Sequence, residues 1–224
     1  MDWTAIGLTL RLALASCVCL LILGVPIAAW LVFSRRRWKV AIEAVVALPL
    51  VLPPTVLGFY LLVAMGPHSP VGRAVESVTG SKLVFSFGGL LVASVLYSLP
   101  FMVQPLCTAF AGVDRKYIEA SWCMGVSRAA TFVRLVLPLS IRGVLAGIIL
   151  TFAHTIGEFG VVLMVGGNIT GVTRTLSISI YDDVQALDYG RAHVTAAALL
   201  AFSFVTLVVT YSLLRRSPMA WRRD

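Results

Sequence analysis

Five apolar stretches, each long enough to cross a bilayer, decide what this chain can fold into. Four contain no Asp, Glu, Lys or Arg: Leu12–Phe33, Ala44–Met65, Leu83–Val113 and Val194–Leu214. A fifth, Gly143–Gly167, is interrupted only by His154 and Glu158. A membrane helix needs about 20 mostly apolar residues. One buried core helix could mimic one such stretch, but a chain of 224 residues cannot bury five in a soluble fold. The charged fraction agrees: it is 12% here, against about 25% in soluble domains. The reading is an all-α integral membrane protein with spans near 10–33, 42–65, 83–111, 142–166 and 193–214.

The net charge of +8 could suggest nucleic acid, so its placement matters. Segment 34–41 holds four basic residues, segment 114–142 holds Arg115, Lys116, Arg128, Arg134 and Arg142, and the tail 215–224 holds four more. Threading five spans puts these thirteen on one side. Arg11, Arg73, Lys82, Arg174 and Arg191 fall on the other. Basic excess marks the cytoplasmic side, so the N-terminus is expected outside and the C-terminus inside. The charge is then topological and implies a lipid bilayer, with no nucleic acid. Met1-Asp2-Trp3 lacks the basic start of a cleavable leader, so the first span is expected to be retained.

The second stretch carries Pro49, Pro53 and Pro54, and the third Pro100 and Pro105. Each proline frees a carbonyl and kinks its helix, so Pro53 and Pro54 are candidates for a conduit wall. Between the third and fourth stretches lies a different kind of segment. Asp114 suits a helix N-cap, Gly125 a helix stop, Ser127 the next N-cap, and Pro138 the end of the second helix. Tyr117, Trp122 and Phe132 give this hairpin apolar faces that a solvated loop does not need. They fit either a lipid surface or a docking protein.

Enzyme chemistry finds little support. There is no Walker A sequence and no H-E-x-x-H, and His68, His154 and His193 are dispersed, so no metal site is expected. Cys17, Cys19, Cys107 and Cys123 lack zinc spacing and read as free thiols. His154 and Glu158 stand four apart, on one face of a helix. They make either a proton relay or a packed polar pair.

The hairpin resembles the loop of permease subunits of binding-protein-dependent ABC importers: E-A-A, three residues, G, nine residues, I-x-L-P. Here it reads Glu119-Ala120-Ser121, three residues, Gly125, nine residues, then Leu135-Val136-Leu137-Pro138. Ser replaces the third position and Leu the isoleucine. Further strings are similar to molybdate permeases: Leu48-Pro-Leu-Val-Leu-Pro-Pro-Thr-Val-Leu-Gly58, Ser98–Pro105, Gly157-Glu158-Phe159-Gly160, and Gly166-Gly167-Asn168-Ile169 followed by Thr173-Arg-Thr-Leu176. Sulfate permeases share the Gly-Glu-[Phe/Tyr]-Gly and Gly-Asn-Ile elements.

The resemblance implies a type I importer transmembrane domain in the bacterial inner membrane, working as a homodimer. It implies a periplasmic oxyanion-binding protein outside and an ABC ATPase dimer inside, with ATP and magnesium held by the ATPase and no cofactor in this chain. Residues 114–140 would then be the coupling segment, with Trp122 on its face and Glu119 either paired within the loop or touching the ATPase. Tungstate, sulfate or thiosulfate are alternative cargoes. A stand-alone proton-coupled transporter using His154 and Glu158 is the alternative of another class. No Lys or Arg lies near mid-membrane, so the path for a dianion is expected to be wide and lined by small or hydroxyl side chains. Thr55, Ser94, Ser98, Gln104 and Thr151 are its candidates. Glu158 would repel a dianion and is expected to turn away from the path and be hydrogen-bonded.

Overall fold

The structure, a computed structural model, describes residues 2–215. It is helical throughout, with no strand among the described residues. The tail expected to be basic and cytoplasmic lies, from 216 on, outside the described residues.

Three helices meet the length and apolarity of a span unaided: α1 (Trp3–Phe33), α5 (Phe87–Ala111) and α12 (Tyr189–Arg215). The second span is two helices, α2 (Lys39–Val51) and α3 (Pro54–Met65), which meet at 113° across Leu52-Pro53. Pro53 and Pro54 withhold two adjacent N–H donors, and Pro54 opens α3 as a first-turn proline. The expected kink is therefore a full break. The fourth span is also divided. Helix α9 (Ile141–Gly157) stops where Glu158 turns extended, and α10 (Gly160–Gly166) starts two residues later. The other bent pair is Arg128–Leu139 with Ile141–Gly157, and with each bent pair taken as one span the total among the described residues reaches five.

Helices α1, α5 and α9 form the centre, each packed on the other two, and α12 lies outside against α9. Lipid supplies no hydrophobic drive between helices, so close contact depends on small residues. Gly24 of α1 and Gly147 of α9 both face Met102 of α5, and Gly143 faces Ala109. A cluster of Leu20, Ala28, Leu31, Met102, Leu106 and Phe110 fills the end nearest the basic segments. At the opposite end Leu12, Leu90, Val162 and Ile178 close the core.

Between the spans, α4 (Pro70–Thr79) begins at Ser69, which accepts from the Gly72 amide, and ends at Gly80. The hairpin after α5 comprises α6 (Arg115–Cys123) and α7 (Arg128–Thr131). A π-helical turn (Phe132–Val136) and α8 (Leu137–Leu139) continue α7 without interruption. The expectation that this helix ends at Pro138 is corrected. The π register absorbs the missing proline donor and ring clash, and the bend of 72° comes later, at Ser140. Helix α11 (Leu176–Gln185) precedes α12.

Candidate functional site

The hairpin is set by local hydrogen bonds. Asp114 accepts from the Lys116 amide, so α6 starts there. At its other end the Gly125 amide donates to Trp122 O at 2.9 Å and the Val126 amide to Ser121 O at 3.2 Å. This paired closure requires a left-handed residue between them, and Gly125 has φ +79°. Ser127 then accepts from the Ala130 amide and starts α7. The hydroxyl of Ser121, where the resembled loop has alanine, meets the Thr131 hydroxyl at 2.9 Å in a buried contact. That bond ties α6 to α7.

The hairpin is rooted and exposed at once. Ile118 and Val136 are buried in the core cluster with Phe110, and Phe132 packs edge-on against both Phe33 and Phe110. Leu135 and Leu137 pack partly buried against the same cluster. Tyr117, Ala120, Trp122 and Pro138 are exposed, and Met124 beside Gly125 is 76% exposed. Arg115 Nε donates to Glu119 Oε1 at 2.7 Å in an exposed pair, so Glu119 is engaged within the loop.

The two helix breaks face each other. A Cβ on Gly160 would lie 2.6 Å from Pro54 Cβ, and one on Gly58 would lie 2.7 Å from Met164 Cβ. Helices α3 and α10 thus pack as one block beside the breaks, at the end of the molecule away from the hairpin. Gly157 is exposed, with no neighbour crowding it.

Glu158, at the second break, is 5% exposed. Its burial matches expectation, but the expected hydrogen bonding does not. The Ser94 hydroxyl faces it, yet neither carboxylate oxygen is in hydrogen-bond geometry. The His154–Glu158 face is also corrected, because α9 ends between them. His154 Nδ1 instead meets Ser98 Oγ at 2.9 Å and its ring stacks on Phe101. A relay along one helix face is therefore not formed.

The conduit candidates separate into two groups. Ser94, Ser98 and Thr151 are all 0% exposed, inside the packing of α5 and α9. As path linings of this fold they are corrected: Ser98 is spent on His154 and Thr155, and Ser94 and Thr151 face no open surface. Pro53, Thr55 and Gln104 are exposed, and Pro54 partly so. Gln104 lines a cleft of about 820 Å³ with Leu50, Thr108, Ser140 and Tyr117. This cleft runs between α2, α5 and α9 to the root of the hairpin. Thr108, which sequence reasoning missed, lies one turn beyond Gln104 on the same face.

The family model for the binding-protein-dependent transport system inner membrane component matches residues 21–217. The chain belongs to this family. Among curated relatives, the molybdenum transport system permease protein ModB of Azotobacter vinelandii is 52% identical over 94% of this chain and 93% of its own length. ModB of Escherichia coli K12 is 33% identical over 96% and 95%. A probable sulfate transport permease of Prototheca wickerhamii is 30% identical over 91% and 79%. Among solved structures, the MetNI methionine ABC transporter, in inward-facing conformations, aligns with TM-score 0.67 at 16% identity over 93% of this chain and 94% of that one. A bacterial alginate ABC transporter, in complex with a periplasmic protein that holds an alginate pentasaccharide, aligns with TM-score 0.68 at 16% identity over 96% and 77%. These two share the fold.

The strings at the other end of this multi-pass permease prove to be a fastening. Gly167 turns with φ +64°. Asn168 Nδ2 donates to both oxygens of Asp182, at 2.9 and 2.8 Å. Arg174 pairs with Asp182 and lies 4.0 Å from Asp2. The Leu176 amide donates to Thr9 Oγ1 of α1 at 2.8 Å. Gly166 has no room for a side chain between Leu90 and Thr173. Asp2, Thr9 and Asp182 were missed in the sequence. The Thr4 hydroxyl and amides at the start of α1, with Arg174, hold the Asp2 carboxyl below its ordinary value of 3.8.

Proposed function

We propose that this chain is the membrane-spanning subunit of an ATP-driven importer of molybdate in the bacterial inner membrane. Two copies assemble about a two-fold axis with the Gln104–Thr108 clefts turned toward it. The basic end faces the cytoplasm. There the hairpin docks on a separate ABC ATPase, which holds the ATP and magnesium, and this chain itself carries out no chemistry. A periplasmic binding protein delivers the oxyanion to the opposite end. The periplasmic protein bound to the alginate transporter, which has the same fold, supports that partner.

The observation that carries the reading is the hairpin's double character. Its tip at Met124–Gly125 is free to enter a partner, while Ile118 and Phe132 lock its root to α1 and α5. A push on the tip is therefore delivered to the packed helices rather than absorbed by a loop. ATP binding then shifts the population between inward- and outward-facing packings. The cargo rests on the ModB relatives. A dianion loses much hydration free energy in a bilayer. The exposed Thr55, Gln104 and Thr108, with Glu158 kept off the surface, suit a hydrated path without a tight site.

The test is co-expression with the ATPase and binding protein, followed by uptake in proteoliposomes. Molybdate should stimulate ATP hydrolysis and accumulate. Sulfate competing as well as molybdate would move the cargo to sulfate, as the Prototheca relative suggests. Uptake driven by a proton gradient without ATPase would overturn the reading.

A further inference from the structure

A second cleft, also about 820 Å³, lies beside the Gln104 cleft and shares only Val113 with it. The end of α1 (Val32–Arg35), the end of α5 and the α6–α7 hairpin enclose it. Its floor is apolar, with Phe33, Phe110, Ile118 and Phe132. Its rim holds three arginines, Arg35, Arg115 and Arg128, and no carboxylate. Arg115 is engaged by Glu119. Arg128 lies over the Trp122 ring at 5.5 Å. Neither Arg128 nor Arg35 has an acidic partner among the described residues.

An apolar track leads into this cleft. Val18, Ile22, Pro26 and Phe33 are exposed on one face of α1, within about 80° of arc, and Phe33 ends that face inside the cleft. None of these residues lines the Gln104 cleft. The arrangement thus offers a cationic, aromatic-rimmed pocket at the end of a lipid-facing helix, continuous with a surface that fits an acyl chain.

We propose that this cleft binds the headgroup of an anionic phospholipid, with its acyl chain lying along the exposed face of α1. The phosphate sits between Arg35 and Arg128, and Trp122 anchors at the headgroup level. Because the same lipid touches Phe132 at the hairpin root and Arg128 at the start of α7, it braces the lever against α1. The placement rests on the cytoplasmic orientation above, where anionic headgroups meet basic segments.

The test uses the complex of this chain with its ATPase, purified in nanodiscs of phosphatidylglycerol mixed with phosphatidylcholine, then released for native mass spectrometry. The expected result is one retained phosphatidylglycerol per chain, insensitive to millimolar inorganic phosphate. Arg35→Ala with Arg128→Ala should lower retention by roughly 25-fold, taking about five-fold for each basic residue near the headgroups. Arg37→Ala, outside the cleft, should leave it unchanged. Equal retention in the double variant overturns the proposal, and so does an equal loss in Arg37→Ala, which would mean diffuse surface charge. Loss of the ATPase from the double variant with lipid unchanged overturns it in favour of a carboxylate of the ATPase in the cleft. Labelling the exposed Cys123 with a membrane-impermeant thiol reagent in intact cells separates the orientation from the site. Reaction from outside would sink the orientation, whereas absence of lipid with Cys123 protected would sink the site alone.

Discussion

The α6–α7 hairpin and the α3–α10 block are both short helices placed beside a break, yet they hold their shapes by opposite means. The hairpin is specified locally. Each turn of its path has its own residue, Asp114, Gly125 or Ser127, and its tip touches nothing. The α3–α10 block is specified by contact. Gly160 fits under Pro54 and Gly58 under Met164, and no side chain caps either helix start. Under the proposed function the hairpin must keep its form while its surface stays free for the ATPase, and local capping does this. The α3–α10 block, at the other end of the bundle, is held instead by the fit of its glycines against Pro54 and Met164.

The comparison breaks most sharply at the glycines. Gly160→Val should cost about 3 kcal/mol or more, since the added carbons meet a proline ring within a packed block. The check is thermal unfolding in detergent, with yield of folded chain falling strongly. A Cβ on Gly125 meets no neighbour within 4 Å, so Gly125→Val pays chiefly for its left-handed backbone, about 1–2 kcal/mol. The chain should fold and still bring down the ATPase, while molybdate-stimulated hydrolysis is uncoupled from uptake. Should the two variants behave alike, the division between local and contact-made shape fails.

The fastening at the far end gives a smaller, pH-dependent effect. Arg174→Ala should cost about 1–2 kcal/mol, because the ion pairs it removes are partly screened. Asp2 adds a sign. Its folded pKa lies below the ordinary 3.8, so its stabilisation is complete above that value and is lost as pH falls through the folded pKa. Unfolding of the wild type should be flat from pH 8 to 5 in this respect and weaken below about pH 3.8. Asp2→Asn should remove the low-pH part of that slope.

Smallest is Glu119→Ala. Its exposed pair with Arg115 is worth about 0.3–0.5 kcal/mol, so stability should barely move. A loss of ATPase binding without a loss of stability would sharpen the hairpin's role as a docking surface.

The same contrast explains what was legible in the sequence. The spans were legible because a bilayer demands uninterrupted apolar length, and the hairpin because its caps lie within five residues of what they cap. The angle at Pro53-Pro54 was not, because prolines announce a break while the 113° depends on α10 beneath it. The break at Glu158 carries no proline, and only the flanking Gly157 and Gly160 hint at it. Ser94, Ser98 and Thr151 read as conduit linings because a hydroxyl in an apolar helix looks the same beside water or beside another helix. Gln104 is set apart only by the cleft, which depends on how α2 and α9 sit. Asp2 and Asp182 are separated by nearly the whole chain, so no spacing connects them to Arg174.

The most direct test of the account is vectorial uptake by proteoliposomes holding this chain with and without its ATPase, the binding protein and external molybdate present in both. With the ATPase and ATP, molybdate should accumulate against its gradient, and omitting either should abolish accumulation. Uphill molybdate transport by this chain without the ATPase would contradict the claim that its hairpin is a lever driven by another subunit.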